Sequence, residues 1–450
     1  MILNLHLGRI AHRLHELPSG TLCFLAAVML TSVHSSIRKP EIMLPPPAPP
    51  SSPSSSSLPS ISTLVSLTRS LHRAFLPHPL TILPLFSPKL RGIITTSFLG
   101  SYMSSISALN PLKLLSQVLG SSVKDTVERI DLPDGGVVTL VWTNSAPPAT
   151  QEQPLILLLP GMNNSSETGF VRSLSLALSR STPSHVATLD YRHVGHSQAF
   201  ESSSSRPCCA DSYKDMPLVI AHIQRLYKPS SLLLIGQSLG AGIGLKYLGT
   251  NPGCPVTAMV AVSPPVNYPD IASHLEAGPL SLIANFFMTI PPKICTLSTP
   301  VVRRQLPSLW PMCTALTVRQ FEEAVLIPLI DDYKDAFDYY DQNNPATTLD
   351  QITVPTLIIA AVDDPITPPP SPETATGNVA IAQVAFGGHL GFFQANPYCS
   401  SWADRVCCDF AAQLVAAVPP SSGVDSPKVG GSGRKMMRRR SSVRGAALGF

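Results

Sequence analysis

The chain has 450 residues, enough for one large catalytic domain with extensions or for two ordinary domains. Charged residues make up 13% against a norm of roughly 25%, and 44% are hydrophobic, which excludes a wholly disordered, acidic or coiled-coil protein and allows a sizeable core. The net charge of +4 belongs to the end of the chain: residues 419–450 hold seven Lys/Arg and one Asp, a surplus of six that leaves −2 on the rest, so the body is not a basic nucleic-acid binder.

The first 120 residues carry two acids, Glu16 and Glu41, against nine Lys/Arg, and are rich in Ser and Pro. Their longest apolar run, Leu22 to Leu30, has nine residues, whereas a membrane-spanning helix needs about 20. Within residues 1–17, Ile2, Leu3, Leu7, Ile10, Leu14 and Leu17 fall near helical spacing around Arg9 and Arg13. This pattern suits an organelle transit peptide (plastid or mitochondrion); a signal-anchor helix and a downstream start at Met29 or Met43, which would leave the protein cytoplasmic, remain open. Residues 1–43 are thus expected to be a targeting or anchor-like segment. Residues 44–85, opening with LPPPAPPSSPSSSSLP, are expected to be a Pro/Ser-rich linker.

From about residue 125 the pattern changes. Apolar runs at Val137–Trp142, Leu155–Leu159, Val186–Leu189, Leu232–Ile235, Ala258–Val262, Thr356–Ala361 and Val379–Ala385 predict strands. Most are apolar at successive positions, as parallel strands covered on both faces are. Helical spacing lies between several of them, as at Val219, Ile223, Leu226 and Tyr227. Strands alternating with helices over about 125–418 predict a doubly wound α/β sheet, within a domain expected to span 86–418. Residues 265–350 interrupt the alternation with helical patterns around 280–289 and 318–340, and are expected to cap the active site. The tail, 419–450, ends in Arg438-Arg439-Arg440-Ser441-Ser442. It is expected to be solvated, or a weak anchor to anionic membranes that phosphorylation of Ser441 or Ser442 would release. The nine cysteines contain no CxxC and no zinc-ligand spacing, which favours free thiols over a disulfide framework.

The strand at Leu232–Ile235 runs into Gly236-Gln237-Ser238-Leu239-Gly240 and then a small-residue helix, the form of a nucleophile elbow. A sharp, strained turn lifts the Ser238 hydroxyl to a helix N-terminus, where developing negative charge is favoured. A serine hydroxyl needs a base and an acid that orients it, and with this elbow they follow in the order Ser, Asp/Glu, His. Downstream stand only His274, in the cap, and His389, in a Gly-rich loop after the last strand, so His389 is the base. The acid is expected just past Thr356–Ala361, with Asp364 better placed and Asp363 the alternative. Backbone N–H groups of Leu239 and of Met162, in the loop after Leu155–Leu159, are expected to form the oxyanion hole. Asn163 and Asn164 begin glycosylation sequons but read as loop residues, Arg192 as a brace for the surrounding loops, and Cys208-Cys209 as packing. His193 and His196 precede the nucleophile and so cannot serve in this order.

PGMNNSSE at 160–167, GQSLGAGIGLKYLG at 236–249, FEEAVLIPLIDDYKDAFDYYDQNNP at 321–345, VPTLIIAAVDDPITP at 354–368 and GGHLGFF at 387–393 together resemble one family. It is the αβ-hydrolase-domain lipases and esterases, which include monoacylglycerol lipases, medium-chain phospholipases and fatty acid ethyl ester synthase/esterases. The resemblance covers roughly residues 86–415, including Trp402-Ala403-Asp404. It implies an α/β-hydrolase fold with a helical cap, Ser238 as nucleophile, Asp364 as acid and His389 as base. It further implies ester hydrolysis on lipid-like acyl substrates, with no cofactor or metal. One departure is the loop after Asp190, which reads Arg192-His193-Val194-Gly195 where the family usually has Arg-Gly. Apolar cap residues, among them Leu280, Leu282, Ile283, Phe286 and Phe287, are expected either to line an acyl pocket or to be ordinary core. Transfer of the acyl group to an alcohol, and a non-catalytic ligand-binding role on the same fold, are the alternative functions.

Overall fold

A computed structural model describes residues 39–46, 59–72, 125–143, 147–148, 152–392 and 401–418. The expected targeting segment up to residue 38, most of the linker, residues 86–124 and the basic tail lie outside the described residues. The described residues form a nine-stranded sheet. In chain order its strands are β1 (Glu41–Met43), β2 (Thr126–Asp131), β3 (Val137–Trp142), β4 (Leu155–Leu159), β5 (His185–Asp190), β6 (Leu232–Gln237), β7 (Ala258–Val262), β8 (Thr356–Ala361) and β9 (Val379–Val384). Their spatial order is β1-β9-β8-β7-β6-β4-β5-β3-β2. The run from β5 to β9 is parallel, while β1, β3 and β2 pair antiparallel at the two edges.

The continuous apolar runs follow from burial on both faces. Successive side chains of a strand point to opposite faces, so Leu155, Leu157 and Leu159 of β4 join one core cluster while Ile156 and Leu158 join the other. The first cluster is covered by α3 (Met216–Tyr227) and α4 (Leu239–Thr250). The second is covered by α1 (Ile61–Leu67), α2 (Gly169–Ser181) and α11 (Trp402–Ala417). Two strands escaped the sequence reading. β2 (TVERID) is only partly buried and carries three charged residues, and β1 has only three residues.

The expected domain start at residue 86 is too late. Glu41–Met43 pair with β9 in the register Glu41↔Gln383 and Met43↔Ile381, so they cover an otherwise open edge. Ile61, Leu64, Val65 and Leu71 are buried in the core. The same segment is tied to α11, because Asp409 accepts from the Ser70 N–H at 3.0 Å and the Trp402 indole donates to the Ser70 carbonyl at 3.3 Å. The Pro/Ser-rich run before residue 60 hid an apolar helix whose Ser60 caps its N-terminus through Thr63 N–H.

Between β7 and β8 six helices replace the alternation: α5 (Tyr268–Glu276), α6 (Pro279–Ser298), α7 (Pro300–Gln305), α8 (Trp310–Thr314), α9 (Val318–Leu329) and α10 (Ala336–Asn343). They have their own cluster, built from residues such as Met312, Phe321, Val325, Tyr333 and Tyr339 and reaching Cys209 of the body. α6 continues through Pro291 and Pro292, and the helical pattern at 318–340 divides into α9 and α10. The seven cysteines among the described residues are free thiols.

Candidate active site

β6 ends at Gln237, and Ser238 follows with φ 51° and ψ −124°, a conformation rarely populated by a residue with a side chain. The flanking glycines are demanded by contact. A Cβ on Gly236 would stand 2.4 Å from Ala241 Cα, and one on Gly240 would stand 2.2 Å from the Leu159 carbonyl oxygen. The elbow is thereby pressed between its own helix and the end of β4. Ser238 N–H donates to Val262 O at 2.9 Å, which anchors the turn to β7.

The loops after β8 and β9 bring the other two predicted residues to the serine. Ser238 Oγ lies 2.7 Å from His389 Nε2, and His389 Nδ1 lies 2.9 Å from Asp364 Oδ2 and 3.2 Å from Oδ1. His389 and Asp364 are buried while Ser238 keeps contact with solvent. Asp364 also accepts from the backbone N–H groups of Ile366 and Thr367 at 2.8 and 2.9 Å, and from the Thr367 hydroxyl at 2.6 Å. Burial alone would raise this carboxyl. The neighbouring His389 charge and hydrogen bond, together with Thr367 and Ile366, outweigh it and hold the group below the usual carboxylate range. Asp363 has a different task. It turns into the protein and accepts from Gly387 N–H and Gly388 N–H, each at 2.8 Å, bracing the loop that carries His389. Gly388 takes φ 58° in that loop.

The loop after β4 lies against the serine: a Cβ on Gly161 would sit 3.1 Å from Ser238 Cβ. Among the described residues, the N–H groups of Met162 and Leu239 make no backbone hydrogen bond, and Leu239 is the first residue of α4, where helix geometry leaves N–H groups without partners. Asn163 takes φ 55° in the turn. What holds this loop is Asp190, which the sequence reading passed over. Fully buried at the end of β5, its carboxylate accepts from Ser166 N–H at 2.7 Å, the Ser166 hydroxyl at 3.0 Å and His196 N–H at 2.9 Å, with His196 Nδ1 at 3.1 Å. An acid closing a strand just before a loop is the only signal the sequence offered.

Arg192 braces its neighbours through a bidentate pair with Asp215 at 2.6 and 2.8 Å and a bond to Asp134 at 2.6 Å. His193 adopts φ 57°, in the left-handed region that favours glycine, and its Nε2 lies 3.0 Å from Ser204 O. His274 lies on α5 in the cap.

A small cavity of about 20 Å³ lies between cap and body. Apolar side chains such as Phe321, Val325 and Leu326 line it together with polar ones, Asn163, Arg192 and His193 from the body and Thr296 from the cap. Neither Ser238 nor His389 lines it. The cap residues expected to serve a pocket or a core do neither: Leu282, Ile283, Phe286 and Phe287 are exposed. The side chain of Leu280 lies outside the described residues.

Residues 154–394, more than half the chain, match the family model of the alpha/beta hydrolase fold, and the chain belongs to that family, among its αβ-hydrolase-domain lipases and esterases. It is 27% identical to the human phospholipase ABHD3 over 303 residues, covering 64% of this chain and 72% of that one. It is 24% identical to the zebrafish (Danio rerio) monoacylglycerol lipase ABHD2 over 302 residues, covering 63% and 71%, and 26% identical to the putative Escherichia coli esterase YheT over 271 residues, covering 59% and 78%. An esterase of Pyrococcus furiosus aligns in structure over 65% of this chain and 91% of its own, with 16% identity and a TM-score of 0.42. Ester hydrolysis is the activity that this membership supports.

Proposed function

We propose that the protein is a serine hydrolase that cleaves carboxylic esters of lipid-like substrates through a Ser238-Asp364-His389 triad. The observation that carries this reading is the continuous hydrogen-bond chain from Ser238 Oγ through His389 to Asp364, beginning at a strained elbow on a helix N-terminus. Ser238 Oγ attacks the ester carbonyl carbon while His389 Nε2 takes its proton. Asp364, ionised at neutral pH, holds the ring through Nδ1 and stabilises the imidazolium that forms. The oxyanion is received by the Met162 and Leu239 N–H groups, each such donor contributing roughly 10²–10³ in turnover. The tetrahedral intermediate collapses, the alcohol leaves with the proton from His389 Nε2, and water attacks the acyl-enzyme by the same route in reverse.

The lipid-like substrate class rests on relatives named phospholipase and monoacylglycerol lipase. The cavity between cap and body, about 20 Å³ and lined by both apolar and polar side chains, has room for about one water molecule, so a bound acyl chain requires the cap to move. A short to medium acyl chain is the reading that a chain-length series decides. The test is hydrolysis of a p-nitrophenyl ester series from acetate to palmitate by the full chain and by S238A. The expected outcome is an optimum at short to medium chains and a loss of roughly 10⁴- to 10⁶-fold in kcat in S238A. Unchanged turnover in S238A, or no labelling of the folded parent by a fluorophosphonate, would overturn the reading.

A further inference from the structure

α6 is built inside out. Its buried face carries Ser281, Ala284, Asn285, Thr289 and Thr296. Asn285 makes its bonds inward, accepting from Val318 N–H at 2.7 Å and donating to Leu275 O at 3.4 Å. The opposite face is apolar: Leu282, Ile283, Phe286 and Phe287 are followed at helical spacing by Ile290, Ile294 and Leu297, with Phe287 55% and Ile294 58% exposed. A surface helix in water has the reverse arrangement. A contiguous exposed stripe of this kind marks a face that meets something apolar.

Charge identifies what it meets. From Ala277 to Phe321 there is no Asp or Glu, while Lys293, Arg303, Arg304 and Arg319 are present. Arg319 is neutralised by Glu276, at 3.0 Å. Lys293 Nζ donates to Ala315 O at 2.5 Å and Cys313 O at 3.3 Å and stands 6.0 Å from the centre of the Phe286 ring, beside the apolar face. The exposed Arg303 donates to Leu297 O at 2.8 Å. An apolar stripe rimmed by cations and free of acids complements an anionic lipid surface. A second copy of the chain would bring the same cations together. No single helix among the described residues is long and apolar enough to cross a membrane, and the polar inner face fits α6 to lie along an interface.

We propose that the outer face of α6 docks the protein on an anionic lipid bilayer, with Phe287 and Ile294 entering the acyl boundary and Lys293, Arg303 and Arg304 meeting the headgroups. The inner side of α6 contributes Pro292, Cys295 and Thr296 to the cavity beside the oxyanion loop, so docking holds that cavity close to the lipid. The docking is independent of the ester chemistry.

The experiment uses the full chain in an S238A background, so that lipid is not consumed, with vesicles of phosphatidylcholine alone or with about one-third phosphatidylserine. F287W places an indole on the face. Trp142 and Trp402 are buried and Trp310 is elsewhere in the cap, so the difference from the parent reads position 287 alone. The expected result is a blue shift with anionic vesicles and quenching by brominated acyl chains. F287S/I294S should weaken sedimentation with vesicles by roughly tenfold or more. R303E/R304E should weaken it roughly tenfold on anionic vesicles and leave neutral ones unchanged. The proposal is overturned by vesicle binding without quenching at position 287, which would assign binding to another segment such as the basic tail. It is equally overturned by an absence of vesicle binding, or by a lipid-free dimer that F287S/I294S dissociates. Quenching of F287W decides the matter even where the serine variants fail to fold.

Discussion

Two neighbouring aspartates show how much one peptide unit decides. Asp363 and Asp364 are both buried at the end of β8, yet one supports the His389 loop through two glycine N–H groups and the other faces the imidazole. Their variants should therefore separate. D364N keeps the shape of the site but removes the charge that fixes the histidine tautomer, and should lower kcat by roughly 10⁴-fold with little change in stability. D363A leaves two buried N–H groups without their acceptor and should cost about 2–4 kcal/mol in denaturant unfolding, with a much smaller effect on kcat. The reverse pattern in steady-state kinetics would assign the acid to Asp363. The sequence narrowed the choice to this pair, because both follow the strand at a plausible distance. Only the direction of each side chain separates them.

At the scale of elements, the cap is where sequence and structure part most. Its helical content was legible from spacing, but the apolar residues at 280–287 read equally well as pocket or core, because periodicity identifies a face without saying what covers it. A second feature of the cap concerns α9 and α10. Burial pushes the Glu322 carboxyl up to about 7; the hydroxyl of Tyr340, which donates to it, opposes the rise and nearby Glu323 adds to it. An acid whose value is raised on folding stabilises the folded state while protonated in both states and loses that contribution as pH climbs from its unfolded value towards the folded one. The window here is about pH 4.5 to about 7. The loss is at most about 3 kcal/mol, a ceiling because Glu322 as a whole residue is only partly buried. Urea unfolding at pH 5 and pH 7.5 should show this decline in the parent and its absence in E322Q. Parallel pH profiles in the two would refute the assignment.

At the scale of the whole molecule, the folded body reaches back to residues that composition assigns to a targeting segment and a linker. Leu64 is fully buried between the sheet and α11, so L64A should destabilise the protein by about 2–5 kcal/mol in thermal or denaturant unfolding. A protein starting at residue 86 should lose β1 and α1 together, exposing the β9 edge and part of one core face. It should unfold at lower denaturant and aggregate more readily than one starting at residue 39. Equal stability of the two would show that the segment only rests on the surface.

The sequence by itself determined the parallel sheet, the strand-turn-helix at Ser238 and the chain order in which a serine, an aspartate pair and a histidine come together. These are local matters: a strand buried on both faces must be apolar throughout, and a turn pressed against β4 and its own helix tolerates only glycine on either side of the serine. The tertiary structure alone decided which aspartate meets His389, that Asp190 holds the Ser166 loop to the His196 loop, that residues 41–43 and 59–72 complete the body, and that α6 turns its apolar side outward. Each of these joins segments distant in the chain, or sets the direction of a face, and neither is written in the spacing of residues along one segment.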